Sequence, residues 1–283
     1  MENLTILVPV YNEEKSIRNT IDTLKKIIDQ KNWEIITVND GSTDETTNIL
    51  SAISGIKVIN HRINKGYGAS LKTGLRHAKY NNVCITDADN TYPNDRIPEL
   101  YEKYLEDNLD MLVGARNGAN VKYSFIRKIP KFFIIKLANY ISGRKIPDIN
   151  SGLRIFKKDI ALRFFNLYPS GFSFTTTITM AFLCRDYDVE YISIDYFDRE
   201  GTSKISPVKD TVGFFNLLSK IAVFYNPMKF FLPFVGLLTV ISFAAIYRDI
   251  FLNQNLSQSS VLFPVLAVLI FFMGLIADMI SKK

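Results

Sequence analysis

The stretch L-T-I-L-V-P-V-Y-N-E-E, Leu4 to Glu14, is an apolar run that stops at an aromatic residue and two carboxylates. Seven uncharged residues suit a strand buried on both faces, and apolar residues at Ile17, Ile21, Leu24 and Ile28 then predict a helix over 13–28. The pattern repeats: strand over 34–39, helix over 44–54, strand over 57–60, helix over 69–79, strand over 82–86. This alternation of near-continuous apolar strands with helices predicts an α/β fold with a doubly wound, mostly parallel sheet. Such sheets bind ligands beyond the carboxyl ends of their strands. The unusual residues gather there: Y-N-E-E after the first strand, D-G-S-T-D after the second, D-A-D after the fourth.

In V-C-I-T-D-A-D-N-T-Y-P, Val83 to Pro93, Asp87 and Asp89 point the same way by the period-two rule and repel each other. A divalent cation carrying a nucleotide diphosphate would offset that repulsion; a capped turn leading into Pro93 is the bland alternative. There is no G-x-x-x-x-G-K-[ST], and N-K-G-Y-G-A-S is not the dinucleotide fingerprint, which disfavours an ATPase or an NAD enzyme. His61 and His77, the only histidines, read as surface or helix-packing residues.

Charge is uneven. No acidic residue lies between Asp110 and Asp148, whereas Arg116, Lys122, Arg127, Lys128, Lys131, Lys136, Arg144 and Lys145 are basic. Aromatic and aliphatic residues between these charges favour a lipid surface over nucleic acid as the anionic partner, and residues 122–145 read as a basic amphipathic segment. Residues 211–227, with Phe214, Phe215, Leu217, Leu218, Ile221 and Phe224 around Lys220, suit a second helix lying in the interface. Residues 230–247 and 261–277 are free of charge, and with their flanks each approaches the roughly 20 residues needed to span a bilayer. The expected organisation is a catalytic domain over 1–210, the interfacial helix, and a transmembrane hairpin over 228–283. Lys229, Lys282 and Lys283 flank one side and the linker 253–260 is uncharged, placing both termini and the globular part in the cytoplasm. Cys84 and Cys184 sit in apolar runs and read as free thiols of a reducing compartment, and the amino terminus reads as a first strand, not a signal peptide. Two spans per chain are compatible with a homo-oligomer, but no G-x-x-x-G specifies one.

Together, V-P-V-Y-N-E-E, V-N-D-G-S-T-D-E-T (38–46), N-K-G-Y-G-A (64–69) and T-D-A-D (86–89) resemble family 2 glycosyltransferases. G-A-R (114–116), I-N-S-G-L-R-I-F (149–156) and R-E-G-T-S-K (199–204), followed by two spans, are similar to the polyprenyl-phosphate branch of that family, of which dolichyl-phosphate mannose synthase is the best-known member. The resemblance extends over nearly the whole chain and implies a GT-A-like fold. It also implies a membrane-bound, inverting transfer of a hexose from a nucleotide sugar, of the UDP-glucose or GDP-mannose class, to a polyprenyl phosphate in the bilayer.

On this resemblance Pro9, Tyr11, Glu13, Val38 and Asp40 line the nucleoside pocket. Asp87, with Ala88, faces the ribose and donor sugar, and Asp89 holds Mg2+ or Mn2+ on the diphosphate. Arg116, Arg199 and Lys204 approach the donor, and Arg127 with Lys131 holds the lipid phosphate. Many relatives read D-A-D-x-Q-H with the Gln as a further metal ligand; here that position is Thr91, whose hydroxyl is the candidate ligand. A serine stands in some relatives where this chain has Lys131. No Q-x-x-R-W signature occurs, and no acidic residue lies between Asp159 and Asp186 to act as a base. A phosphate acceptor is already ionised and needs alignment, not deprotonation. Transfer to a glycolipid or lipid-linked saccharide hydroxyl, and a catalytically silent scaffold binding nucleotide sugar, are the alternatives.

Overall fold

The computed structural model describes residues 3–29, 31–117, 135–171, 173–197, 217–253 and 255–281. The chain runs β1 (Leu4–Val10), α1 (Ile17–Ile28), β2 (Glu34–Asn39), α2 (Thr46–Ser51), β3 (Lys57–Asn60), α3 (Tyr67–His77), β4 (Asn82–Ile85), α4 (Ile97–Glu106) and β5 (Met111–Arg116). Helical residues 135–142 (α5) follow, then β6 (Arg154–Lys157), α6 (Lys158–Arg163), α7 (Phe174–Leu183), β7 (Val189–Ile194), helical residues 217–225 (α8), α9 (Pro227–Arg248) and α10 (Gln258–Ser281).

The strands form one sheet in the order β3-β2-β1-β4-β6-β5-β7, parallel except for β6, which is antiparallel to both of its neighbours. The expected mostly parallel, doubly wound sheet is therefore present. The first three strands have the bounds that periodicity predicts. Helix α1 begins at Ile17 and not at Glu13, because Ser16 and Ile17 N–H groups close a turn on the Glu13 carbonyl while Glu13 N–H donates to Thr46 Oγ1.

Both sheet faces are covered, which is why the strands read as continuous apolar runs. Leu4, Ile6, Val8 and Val10 of β1 pack with Ile17, Ile21 and Leu24 of α1 and Leu100 of α4. On the other face Leu7 packs with Leu71 and Leu75 of α3 and Phe174, Ile178 and Phe182 of α7. A proline inside a central strand is unusual, since it removes a ladder donor. Pro9 escapes this cost because of where its nitrogen points. Val10 O accepts from Asp40 N on the β2 side and Leu7 O accepts from Thr86 N on the β4 side, so the odd residues of β1 face β4. The β1–β4 ladder ends at the Leu7–Ile85 pair, leaving no partner for residue 9 to bond. Pro9 thus sits where the two central strands part, beside the D-A-D turn.

A third core joins Ala138 and Ile141 of α5 with Met180 and Leu183 of α7 and Leu218, Ile221 and Ala222 of α8. The described part of the expected interfacial helix therefore turns its apolar face to protein; Phe224 stays 45% exposed. The reason is geometric: α8 runs directly into α9, and its apolar stripe meets the surface that α5 and α7 leave open.

Residues 227–252 and 258–281 form helices long and apolar enough to cross a membrane, about 39 and 36 Å at 1.5 Å per residue. Side chains such as Val240 (67% exposed) and Phe243 (70%) face outward, unlike those of a soluble core helix. The pair packs closely at Gly274, where a Cβ would lie 3.1 Å from Phe231 Cβ. At the far end Asp249 accepts from Arg248 Nη2 (2.9 Å) and Ser257 N (2.6 Å), so these two charges neutralise each other.

Helix α3 docks through its first turn: a Cβ on Gly68 would lie 2.2 Å from Pro169 O and 2.8 Å from Gly171 O. Backbone oxygens cannot swing aside, so Gly68→Ala is expected to destabilise the fold by about 1–3 kcal/mol. A lower midpoint of thermal unfolding measures this, and an unchanged midpoint would refute the tight packing.

Candidate active site

The carboxyl ends of β1, β2, β4 and β5 converge with the amino end of β6. Because β6 is antiparallel, its start lies beside the end of β4, with Arg154 in register with Ile85 and with Val113 of β5. This brings I-N-S-G-L-R to D-A-D.

Asp40, at the end of β2, is 2% exposed. Its Oδ1 accepts from His61 Nδ1 (2.6 Å) and Lys65 N (2.9 Å), and its Oδ2 from Gly66 N (2.7 Å). His61 Nε2 lies 2.9 Å from the Thr73 hydroxyl. Of the two readings of His61, surface or helix-packing, the structure favours the second, since it bridges Thr73 of α3 to the Asp40 carboxylate. Gly66 has φ +99°, and a Cβ there would lie 2.5 Å from Ser170 O, so only glycine closes this loop on Asp40.

The next residue reaches the other carboxylate: Tyr67 Oη donates to Asp87 Oδ1 at 3.0 Å. Burial and the Asp87 charge push the Tyr67 phenol well above its usual range, which keeps its proton available for this bond. The turn leading into β6 comes close to Asp87 as well: a Cβ on Gly152 would lie 2.6 Å from Asp87 Oδ2. Gly152 N in turn donates to Tyr92 Oη at 2.6 Å.

Asp89 is 8% exposed, and its Oδ1 accepts from the Thr91 hydroxyl (2.6 Å) and Thr91 N (3.3 Å). Thr91 is fully buried. The structure thus sets its hydroxyl on the Asp89 carboxylate. Among the described residues no group of three or more His, Cys, Asp or Glu side chains could hold a metal ion. A cation carried by phosphates needs only one or two carboxylates, and Asp87 and Asp89 fit that donor set.

Arg116, at the end of β5, forms a bidentate pair with Asp148: Nε to Oδ2 at 2.7 Å and Nη2 to Oδ1 at 3.0 Å, with Arg116 N also on Oδ2 at 3.1 Å. The guanidinium stacks over Tyr196, 5.2 Å from the ring centroid, and Tyr196 packs edge-on against Tyr92 at 5.3 Å. Behind them Arg154, 1% exposed, donates to Ser151 O, Thr175 O and Thr179 Oγ1, tying the β6 turn to α7. Burial lowers the Arg154 pKa.

The structure therefore brings together Asp40, Asp87, Asp89 and Arg116. Ala88 is buried, with its carbonyl 3.0 Å from Thr20 Oγ1, and Tyr11 and Glu13 lie on the half-exposed turn after β1. Pro9 and Val38 do not present side chains to an accessible wall: both lie inside strands, and Val38 is fully buried against Leu71. Arg127, Lys131, Arg199 and Lys204 fall outside the described residues. Tyr67, His61, Asp148, Gly152 and Arg154 are the site residues that sequence reasoning left without a role; Tyr67 and Gly152 were visible inside N-K-G-Y-G-A and I-N-S-G-L-R.

Residues 5–165 match the family described as Glycosyl transferase family 2, and residues 226–282 match the GtrB C-terminal hairpin. The chain is 29% identical over 245 residues to a dolichyl-phosphate beta-glucosyltransferase of Trichomonas vaginalis, covering 79% of this chain and 74% of that one. It is 27% identical over 289 residues to an undecaprenyl-phosphate 4-deoxy-4-formamido-L-arabinose transferase of Pectobacterium carotovorum, covering 97% and 84%. In fold it is similar to glucosyl-3-phosphoglycerate synthase of Mycobacterium tuberculosis, crystallised with Mn2+, UDP and phosphoglyceric acid: TM-score 0.62, 16% identity, 78% of each chain.

Asp148→Ala is expected to cost about 3 kcal/mol of stability by leaving the Arg116 guanidinium uncompensated. Adding Arg116→Met is expected to recover part of that loss, and strict additivity of the two in thermal unfolding would refute the coupling.

Proposed function

Because this chain belongs to glycosyl transferase family 2 and ends in a hairpin of the GtrB type, we propose that it is a membrane-bound inverting glycosyltransferase that moves a hexose from a nucleotide sugar to a polyprenyl phosphate. The donor is of the UDP-glucose or GDP-mannose class and the product a polyprenyl-phosphate β-sugar. The observation that carries this reading is the convergence of Asp40, Asp87, Asp89 and Arg116 at one end of the sheet in a chain that also carries two helices long enough to span a bilayer. The names of the two relatives support the acceptor class, since one is a dolichyl-phosphate and the other an undecaprenyl-phosphate transferase.

In this mechanism an oxygen of the acceptor phosphate attacks the anomeric carbon as the bond from that carbon to the nucleoside diphosphate breaks on the opposite face. Asp89, with Asp87 beside it, is the donor set assigned to Mg2+ or Mn2+, which supplies neutralisation of the charge developing on the leaving diphosphate. Thr91 is assigned to orient Asp89, in place of direct metal ligation. Tyr67 and the Gly152 turn aim Asp87 at the donor sugar. Asp40 shapes the nucleoside end by holding the 61–66 loop, and Arg116, fixed in plane by Asp148, faces the diphosphate. Arg199 and Lys204 are assigned to the donor as well, and Arg127 and Lys131 to the lipid phosphate. The globular domain and both termini are assigned to the cytoplasmic side, where nucleotide sugars are made.

The test incubates the purified full chain with radiolabelled UDP-glucose, GDP-mannose or UDP-N-acetylglucosamine, a polyprenyl phosphate and Mg2+ or Mn2+. Labelled lipid phosphate is expected with one donor; its absence with every donor sinks the reading, and labelling of a glycolipid hydroxyl instead would favour the alternative acceptor. Asp89→Ala is expected to abolish transfer, and activity surviving that change with its metal requirement intact overturns the cation assignment. Tyr67→Phe, which removes one hydrogen bond to a carboxylate, is expected to lower kcat by about tenfold or more and to lower the unfolding midpoint by several degrees, the loss of about 1.5–3 kcal/mol, with the fold retained.

A further inference from the structure

The last turn of a helix leaves carbonyl groups without intrahelical partners. In α5 one of these, Ile141 O, accepts from two side chains that belong to the start of the hairpin: Asn226 Nδ2 at 3.1 Å and Lys229 Nζ at 3.2 Å. Gly143, with φ +72°, turns the chain away beside the ammonium, and its N–H donates to Asn139 O at 2.8 Å. Asn226 is also the seam between α8 and α9. Its N–H donates to Ala222 O, its carbonyl accepts from Phe230 N, and its own backbone, at φ −141° and ψ 64°, is not helical. The chain changes direction at the residue whose side chain grips the catalytic domain.

The surroundings pack this contact into an apolar core. Ile141, Leu218, Ile221 and Ala222 are buried together, with Phe230 of α9 packed against them. The outer face of α5 carries Lys136 and Tyr140, both exposed and four residues apart, and the exposed Arg144 follows just past Gly143. The end of α5 is bound to the first turn of the helix read as a span, and an exposed tyrosine near basic residues is a composition that suits a lipid headgroup region.

We propose that Asn226 and Lys229 are positioning residues: by closing the carbonyl end of α5 they hold the catalytic domain at one attitude over the bilayer, so that an acceptor confined to the membrane meets the site. Lys229 thus has a role beyond that of a charge flanking the span. The inference rests on the lipid-phosphate reading only for its consequence in catalysis. An acceptor anchored in the bilayer samples a narrow range of heights, so a domain free to tilt lowers its effective concentration at the site, whereas a soluble acceptor reaches the site from any direction.

The test compares wild type, Asn226→Ala/Lys229→Met and Lys229→Arg, each as the full chain in lipid nanodiscs. Trp33 is the only tryptophan, so its energy transfer to dansyl-labelled lipid headgroups reports the attitude of the domain without any turnover. The double variant is expected to change that transfer efficiency. It is also expected to lose about tenfold in kcat/KM for a long-chain polyprenyl phosphate in the bilayer. Its kcat/KM for a short, water-soluble prenyl phosphate and its donor KM are expected to stay at wild-type values, and Lys229→Arg, which keeps a donor, behaves as wild type. Unchanged Trp33 transfer overturns the inference, as does an equal loss with both acceptors. If wild type glycosylates no prenyl phosphate while the Trp33 signal still shifts, the acceptor reading fails and the positioning role stands.

Discussion

Two carboxylates at the ends of β2 and β4 are held by adjacent residues of one loop, and the geometry of the site depends on that linkage. Asp40 receives Lys65 N and Gly66 N, and Asp87 receives the hydroxyl of Tyr67. Anions so close to a protein interior require fixed donors, because low dielectric raises the cost of any that are missing. The loop that provides them is itself set by contact with residues 169–171, where Gly66 and Gly68 leave room for backbone oxygens alone. A shift in the α6–α7 connection would therefore reach both carboxylates at once, though neither touches it. His61 and Thr73 extend the same network along α3.

Much of this architecture was legible in the chain. The bounds of β1, β2 and β3 follow from apolar runs, and the gathering of Y-N-E-E, D-G-S-T-D and D-A-D at strand ends follows from the parallel topology. What periodicity could not supply was long-range pairing. Nothing local in R-I-F-K says that β6 runs antiparallel between β4 and β5, yet that reversal is what places Gly152 against Asp87 and Asp148 against Arg116. The Asp40 partner of His61 was missed for the same reason: a lone histidine after a strand gives no sign of a buried carboxylate 21 positions earlier. Part of the apolar stripe of residues 217–225 packs on α5 and α7, which sequence could not show because such a stripe looks alike whether lipid or another helix covers it.

The same limit applies to Val38 and Thr91. Motif position put both at the ligand; in the fold Val38 packs in the core beneath α3 and the Thr91 hydroxyl donates to the Asp89 carboxylate. A buried hydroxyl on Asp89 Oδ1 restricts rotation of that carboxylate and so fixes the direction in which its other oxygen points. Substituting a threonine where relatives carry a longer amide thus changes the means of support without removing the carboxylate itself.

The pairing of Asp148 with Arg116 bears on which acceptor the site suits. A hydroxyl nucleophile must lose a proton as it attacks, and a carboxylate near the reacting centre is the usual sink for it. Asp148 opens the turn that carries Gly152 to Asp87, yet its two oxygens accept from Arg116 Nε, Nη2 and N and from Asn150 N. Taking up a proton would weaken a bidentate, nearly buried ion pair whose disruption costs several kcal/mol. A carboxylate held in this way is a poor base and a good brace. It fixes the orientation of the planar guanidinium, in keeping with the proposed phosphate acceptor, for which charge must be screened and no proton need be removed.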